Sequence, residues 1–493
     1  MYLWILITGG AFSFFAAMGI GANDAANSFA TSIGSKALNM KQAVILAAIF
    51  ETAGAILMGG HVTDTIRKGI SDYKCFEAQP ELLMYGCMWV VLSVGLWLFL
   101  ASKYEMPVST THSCVGGMIG MTMVLAGADC VIWYKPVDTF PYVGGVSGIV
   151  LSWFLSPIFS ALFAIIIFGI TRSLVLRKDF NSYRINIAYP VLIGSTMTIN
   201  SFFIIYKGAK GLGLDKTPLS VALGSAFGIG LGSAIITIPV VPYLKKFINK
   251  KINNQLEYKV SSQTNIEMIT NDITENKDKL NIKSLKEMNR IMKLHENAEK
   301  FNVKTEELFK YLQVFTAICC SFSHGANDVA NAIGPFAVIY VLYENNYNIT
   351  SGKTDMGDNA YWILAMGGAG IAVGLFVYGY KIIYAMGEKL CKITPSRGTA
   401  IELSSALVII IGSRLKIPLS TTHCQVGATT GVGFLENTKD CSGINCRVFG
   451  KTVVGWLVTC VIVGLTTALL TAQGTYSPAV NGWGNVPENY TLN

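Results

Sequence analysis

The 493-residue sequence predicts an all-α polytopic membrane protein: about twelve transmembrane segments in two inverted repeats, with helices broken at shared motifs. Three observations carry this. Apolar residues make up 52% of the chain and charged residues 14%, in long apolar runs from one end to the other. The octapeptide Gly21–Ser28 (GANDAANS) returns as Gly325–Ala332 (GANDVANA), 304 residues on. The hexapeptide Pro107–His112 (PVSTTH) returns as Pro418–His423 (PLSTTH), 311 residues on. Two motifs in one order at nearly one offset mark an internal duplication.

Apolar length places spans near 3–20, 42–60, 84–101, 108–127, 144–171, 188–206 and 218–240, then 311–340, 361–384, 400–415, 419–434 and 450–472. The first lacks a basic start and runs straight into the octapeptide, so it reads as a span and not as a signal peptide. The apolar stretches around the octapeptides exceed the ~20 residues one crossing needs, which predicts helices broken there. Residues 1–171 form the first repeat, 172–243 hold two intervening helices, 244–310 a polar loop, 311–472 the second repeat and 473–493 a tail. The stretch 245–310, with 14 basic and 10 acidic residues, reads as a loop with some helix near 282–300.

Orientation follows from the short loops. Residues 172–184 and 381–397 each carry four basic residues and one acidic, whereas 344–358 carries one basic and three acidic. The first two and the polar loop are therefore expected inside and both termini outside. Counting crossings then inverts the second repeat relative to the first. Asn348 and Asn489 head sequons on the outer side, which favours the plasma membrane. The net charge of +8 gathers in these loops with no aromatic-lined basic stripe, so nucleic acid is excluded as a partner in favour of the bilayer. Of the 11 cysteines, Cys114, Cys319, Cys320, Cys424 and Cys460 lie in apolar or motif segments; only Cys441 and Cys446 sit close together in a polar loop, where a disulfide is an option if that loop is extracytoplasmic.

A carboxylate inside a bilayer costs about 2.5 to 3.5 kcal/mol on insertion scales, so Asp24 and Asp328 mark functional sites. Asn27 and Asn331, three residues on, share their helix face. The hexapeptide reads as a half-helix start, with Pro in the first turn and Ser109, Thr110 and Thr111, or Ser420, Thr421 and Thr422, presenting hydroxyls beside free amides. Two such starts make a donor-rich, lysine-poor site for one small tetrahedral oxyanion. The bare aspartates would repel that anion unless a cation or a proton lay between them. Asp carboxylate, Asn amide, Ser or Thr hydroxyl and unwound carbonyls supply the oxygen ligands that a hard cation wants. Glu51 and Glu402 are further intramembrane carboxylates and are not repeat mates, so they serve as unequal cation sites, as gates, or as helix-to-helix hydrogen bonds. His112 and His423 close the hexapeptides, while His61 and His324 have no mate. No cofactor motif appears, and Arg172 and Lys207 read as interfacial anchors.

These residues resemble the inorganic phosphate transporter (PiT) family of cation-coupled symporters. The match rests on both octapeptides and hexapeptides, on Ile49–Ile70 (IFETAGAILMGGHVTDTIRKGI) and on Ile393–His423 (ITPSRGTAIELSSALVIIIGSRLKIPLSTTH). The resemblance implies twelve spans, inverted repeats, extracellular termini, homodimers and no enzymatic activity. It implies import of inorganic phosphate with Na⁺, or with H⁺ in some members. Phosphate would meet Asp24, Ser109, Thr110, Thr111, Asp328, Ser420, Thr421 and Thr422. Na⁺ would meet Asn23, Asp24, Asn27, Glu51, Asn327, Asp328, Asn331 and Glu402. A carrier of another oxyanion such as sulfate is the alternative within transport. An intramembrane serine hydrolase lacks a Gly-x-Ser-x-Gly elbow, and a channel has no use for paired binding sites.

Overall fold

A computed structural model describes residues 2–138, 142–206, 214, 217–266, 282–349, 361–414, 419–436 and 443–476. Its helices are α1 (Leu3–Ile20), α2 (Ala26–Gly34), α3 (Met40–Gly69), α4 (Pro80–Lys103), α5 (Thr110–Ala126), α6 (Gly145–Thr171), α7 (Tyr183–Ile205), α8 (Leu219–Ile266), α9 (Ile282–Glu296), α10 (Val303–Glu344), α11 (Tyr361–Tyr378), α12 (Tyr380–Tyr384), α13 (Pro395–Arg414), α14 (Thr421–Phe434) and α15 (Cys446–Tyr476). A two-residue antiparallel hairpin, 135–136 with 143–144, precedes α6.

All twelve apolar segments fall on helices. Among the described residues, eight helices are long and apolar enough to cross a membrane by length and composition. The segments outside that set are α5, α10, α13 and α14, which carry the second octapeptide and the Thr-Thr-His end of each hexapeptide. They can be polar because protein, not lipid, surrounds them: α14 is buried from Thr421 to Gly433.

The chain does not unwind at the octapeptides. The first copy widens into a π-helical turn, Gly21–Ala25, between α1 and α2, and α10 runs through the second copy without interruption. A π turn keeps backbone hydrogen bonds satisfied while re-aiming side chains, which a break would not do. The span predicted at 361–384 divides between α11 and α12. The polar loop is more ordered than its composition suggested, because α8 continues to Ile266, α9 follows and α10 begins at Val303; residues 267–281 lie outside the described residues.

Glycines show how the two halves interlock. A Cβ on Gly21 would lie 1.8 Å from the Ile371 carbonyl oxygen, and one on Gly374 would lie 1.8 Å from that of Met18. The same exchange joins α10 to α3, with Gly325 at 2.2 Å from the Glu51 oxygen and Gly54 at 2.0 Å from that of Phe322. Gly116 and Gly120 of α5 likewise approach Cys460 and Gly464 of α15, at 2.3 and 2.2 Å, while Gly427 and Gly431 of α14 approach Pro157 and Ala161 of α6, at 2.4 and 2.5 Å. Every pair joins one half to the other. Small residues allow such backbone contact where apolar burial supplies no force between helices.

Cys75 and Cys130 form a disulfide, Cα–Cα 6.2 Å, that ties the α3–α4 loop to the α5–α6 loop. Sequence spacing instead points to Cys441 with Cys446; Cys446 is a free thiol, and Cys441 lies outside the described residues.

Arg172 is no interfacial anchor. Its Nε lies 2.8 Å from Glu299 Oε2, and its Nη1 donates to the Leu435 carbonyl at 2.6 Å. The hydrogen bond from Arg177 holds the Glu299 carboxyl below its usual range, with Arg172 adding to the pull. Buried Arg397 donates to Glu436 Oε1 at 2.6 Å and to the Glu299 carbonyl at 2.8 Å, and sits over the rings of Phe168 and Phe301. The segment after α9 is thereby clamped to the ends of α6, α13 and α14. Arg397→Met would leave Glu436 buried without its partner, and the expected loss is about 3–5 kcal/mol. Thermal unfolding of the purified variant checks this; an unchanged midpoint would mean that Glu436 relaxes to water. Lys207 lies outside the described residues.

Candidate ion and anion site

The site forms where the starts of α5 and α14 meet α10 and the π turn. Ser109 Oγ caps α5 by accepting from the His112 amide at 3.2 Å, and Ser420 Oγ caps α14 by accepting from the His423 amide at 3.3 Å. The cap is thus serine, as a β-region residue with a short hydroxyl should be. Pro107 stands two residues before the cap rather than in the first turn, and Pro418 lies outside the described residues.

The two starts are in reciprocal contact. Thr111 Oγ1 donates to the Leu419 carbonyl at 3.2 Å, and Thr422 Oγ1 lies 3.2 Å from the Val108 carbonyl oxygen while its one proton points to the nearer Asp24. Thr111 and Thr422 are repeat mates, as are Val108 and Leu419. Asp24 accepts from the Thr110 amide at 3.1 Å and from Thr422 Oγ1 at 2.6 Å, so it touches both halves. Asp328 accepts from Thr421 Oγ1, from Asn327 Nδ2 at 2.8 Å and from Asn331 Nδ2 at 3.5 Å. Asn331 Nδ2 also donates to Thr110 Oγ1 at 3.0 Å.

His324 completes the cluster, and sequence symmetry gave it no role. Its Nδ1 lies 2.7 Å from Glu51 Oε2 and its Nε2 lies 2.8 Å from Asp328 Oδ2. The Glu51 contact places a proton between Nδ1 and the carboxylate oxygen, whereas Nε2 lies at ion-pair distance from Asp328 without a hydrogen bond. One ligand atom each from Asp24, His324 and Asp328 lies within 4.8 Å of the others. The i to i+4 spacing of His324 and Asp328 on α10 was the available signal.

Other predicted residues lie apart. Asn23 is used in holding the turn before α5: its Nδ2 donates to Ser102 Oγ and the Met106 carbonyl, both at 3.0 Å, and its Oδ1 accepts from the Val108 amide at 3.0 Å. Glu402 belongs to a second cluster, where it accepts from Thr31 at 2.6 Å, Ser32 at 2.8 Å, Gln313 at 3.2 Å and Thr316 at 2.5 Å. Thr31 follows Asp24 by about two helical turns, or roughly 10 Å. The Asn27 and His61 side chains lie outside the described residues.

Residues 20–467 match the phosphate transporter family. The chain belongs to that family. The transporter is 33% identical over 466 residues to inorganic phosphate transporter 2-1, chloroplastic, of Arabidopsis thaliana, across 93% of its own length and 70% of that protein's. It is 29% identical to the phosphate-repressible phosphate permease of Neurospora crassa, across 95% and 96% of the two chains. Sodium-dependent phosphate transporter 1 of Rattus norvegicus is 28% identical, across 95% of each chain. A solved structure titled as the sodium-dependent phosphate transporter superposes with a TM-score of 0.75 at 30% identity, covering 96% of this chain and 99% of that one. The transporter is a membrane permease and not an enzyme.

Proposed function

We propose that the transporter imports inorganic phosphate together with Na⁺ across the plasma membrane, by alternating access between two inverted repeats. The observation that carries this reading is the pairing of each aspartate with hydroxyls of the hexapeptides: Thr422 and the Thr110 amide on Asp24, Thr421 on Asp328. Donors arranged for an oxyanion are held by carboxylates until an anion arrives. A cation entering beside Asp24 and Asp328 offsets their charge and frees those donors to turn toward phosphate. Cation and anion then each lower the other's binding cost, which is coupling. The reciprocal Thr111 and Thr422 contacts and the interlocked glycines support repeats related by a two-fold axis, with 1–171 and 311–472 as the two units and 172–243 outside them. The Cys75–Cys130 disulfide supports an outer position for both loops it joins, since such bonds persist in oxidising compartments. That agrees with outer termini and an inner polar loop. The resemblance to the family also supports a homodimer, which native mass spectrometry in detergent checks.

Uptake of radiolabelled phosphate into proteoliposomes tests the whole reading. Accumulation is expected with an inward Na⁺ gradient at fixed pH, and sulfate in tenfold excess should leave it unchanged. No accumulation under Na⁺ would overturn sodium coupling. A second reading, H⁺ coupling, is favoured by the imidazole of His324 standing between the carboxylates of Glu51 and Asp328, and it predicts accumulation with a pH gradient alone. Glu402, held by four donors well away from the aspartates, is assigned a second Na⁺ position in this scheme. Glu402→Gln should raise the Na⁺ concentration needed for half-maximal uptake by about tenfold while phosphate affinity at saturating Na⁺ stays within about twofold, on the scale of one charge-assisted contact.

A further inference from the structure

His112 and His423 lie where the two halves meet, with ring centroids 4.6 Å apart. Each packs against a tryptophan of its own half at 3.7 Å, His112 on Trp153 and His423 on Trp456. The tryptophans are repeat mates, as are the histidines, and the glycine contacts carry the backbones of α5 with α15 and of α14 with α6 to nearly equal approach. The side chains break this equality. His112 Nδ1 lies 3.1 Å from the Trp456 carbonyl oxygen, and since a carbonyl only accepts, Nδ1 donates. The mate contact, from His423 Nδ1 to the Trp153 carbonyl, is missing, and His423 Nδ1 is buried with no hydrogen-bond partner. The rings differ in pose as well: His112 lies 30° from the Trp153 plane, and His423 stands at 83° to that of Trp456.

We infer that the His112–His423 pair is a two-position hydrogen-bond switch: in the arrangement of opposite facing, His423 Nδ1 donates to the Trp153 carbonyl while His112 Nδ1 gives up that of Trp456. The two rings touch, so the tilt of one restricts the tilt of the other, and the packed pair holds one of two discrete arrangements. Neither histidine bonds to either aspartate among the contacts described, so the pair positions the helix starts and is not a ligand. This rests on the alternating-access reading.

One face of the transporter reports the arrangement. There the turn after α4 is bridged to the second half, by Lys389 Nζ to Glu105 Oε2 at 2.8 Å and by Lys381 Nζ and Lys451 Nζ to the carbonyls of Lys103 and Tyr104, both at 3.3 Å. Spin labels at the exposed positions 104 and 380, in the full chain with Cys446→Ser and reconstituted in nanodiscs, give a short distance when this face is bridged. His112→Leu removes the bond that favours the bridged arrangement, and the ratio of short to long distances should fall about fivefold, the scale of one hydrogen bond. His423→Leu removes the bond that favours the other, and the ratio should rise. His112→Asn, whose Nδ2 stands where the imidazole Nδ1 does, should keep the wild-type distribution, and the double leucine variant should return toward it. If both leucine variants lower the ratio, or neither moves it, the switch is overturned. Phosphate uptake by the unlabelled protein separates the two readings: distances that respond with opposite sign in a protein that moves no phosphate would sink the substrate assignment and leave the switch standing.

Discussion

Asp24→Asn and Asp328→Asn are each expected to abolish concentrative phosphate uptake in protein that still reaches the membrane. Two charge-assisted hydrogen bonds end on Asp24, from the Thr110 amide and from Thr422 Oγ1. At about 1.5–3 kcal/mol each, their weakening corresponds to a drop of at least about a hundredfold. An asparagine amide keeps the shape and loses the charge that would hold a coupling cation. Asp328→Asn has a further consequence, because His324 then loses one of its two carboxylate neighbours. Initial-rate uptake, normalised to surface protein, is the measurement. Uptake within threefold of wild type in both variants would remove the aspartates from the mechanism.

The second large effect is on folding. Gly374→Ala would put a methyl group 1.8 Å from the Met18 carbonyl oxygen, and Gly21→Ala would do the same against Ile371. The obstacle is backbone, which cannot swing aside as a long side chain can. Overpacking of a well-packed core costs about 1–3 kcal/mol, and contact with backbone belongs at or above the top of that range. Little mature protein should be recovered from either variant. Gly224→Ala and Gly228→Ala on α8, where an added Cβ meets nothing within 4 Å, are the controls and should express normally. Equal recovery of all four would mean that the halves slide past one another more freely than the contacts imply.

The chemistry was legible in the sequence because it recurs. A polar residue in an apolar run is conspicuous, and two copies of Asn-Asp and of Ser-Thr-Thr-His within one chain leave little room for accident. Asp24, Asp328, Thr110, Thr111, Thr421 and Thr422 do meet, as expected. Residues without a mate were harder to read. His324 has no counterpart in the first half, yet it bridges Glu51 to Asp328. Asn23 and Asn327 occupy equal places in the motif: Asn23 holds the turn before α5, and Asn327 donates to Asp328 and to the Leu419 carbonyl at 3.3 Å. Arg172 looked like a chain-end cation facing lipid headgroups because its partner, Glu299, lies 127 residues away in a stretch read as loop.

Taken alone, the sequence determined that the chain is a helical membrane protein, that it is duplicated, and which polar side chains are out of place in an apolar surrounding. Those properties follow from composition and period, which are local. Tertiary structure decided which carboxylates share one site: Glu51 joins the aspartates through His324, and Glu402 stands apart with Thr31, Ser32, Gln313 and Thr316. It also decided that the octapeptide helices stay wound, and that two symmetric histidines hold unequal bonds. Such outcomes depend on how closely backbones from opposite halves approach, and a one-dimensional pattern holds no record of that distance.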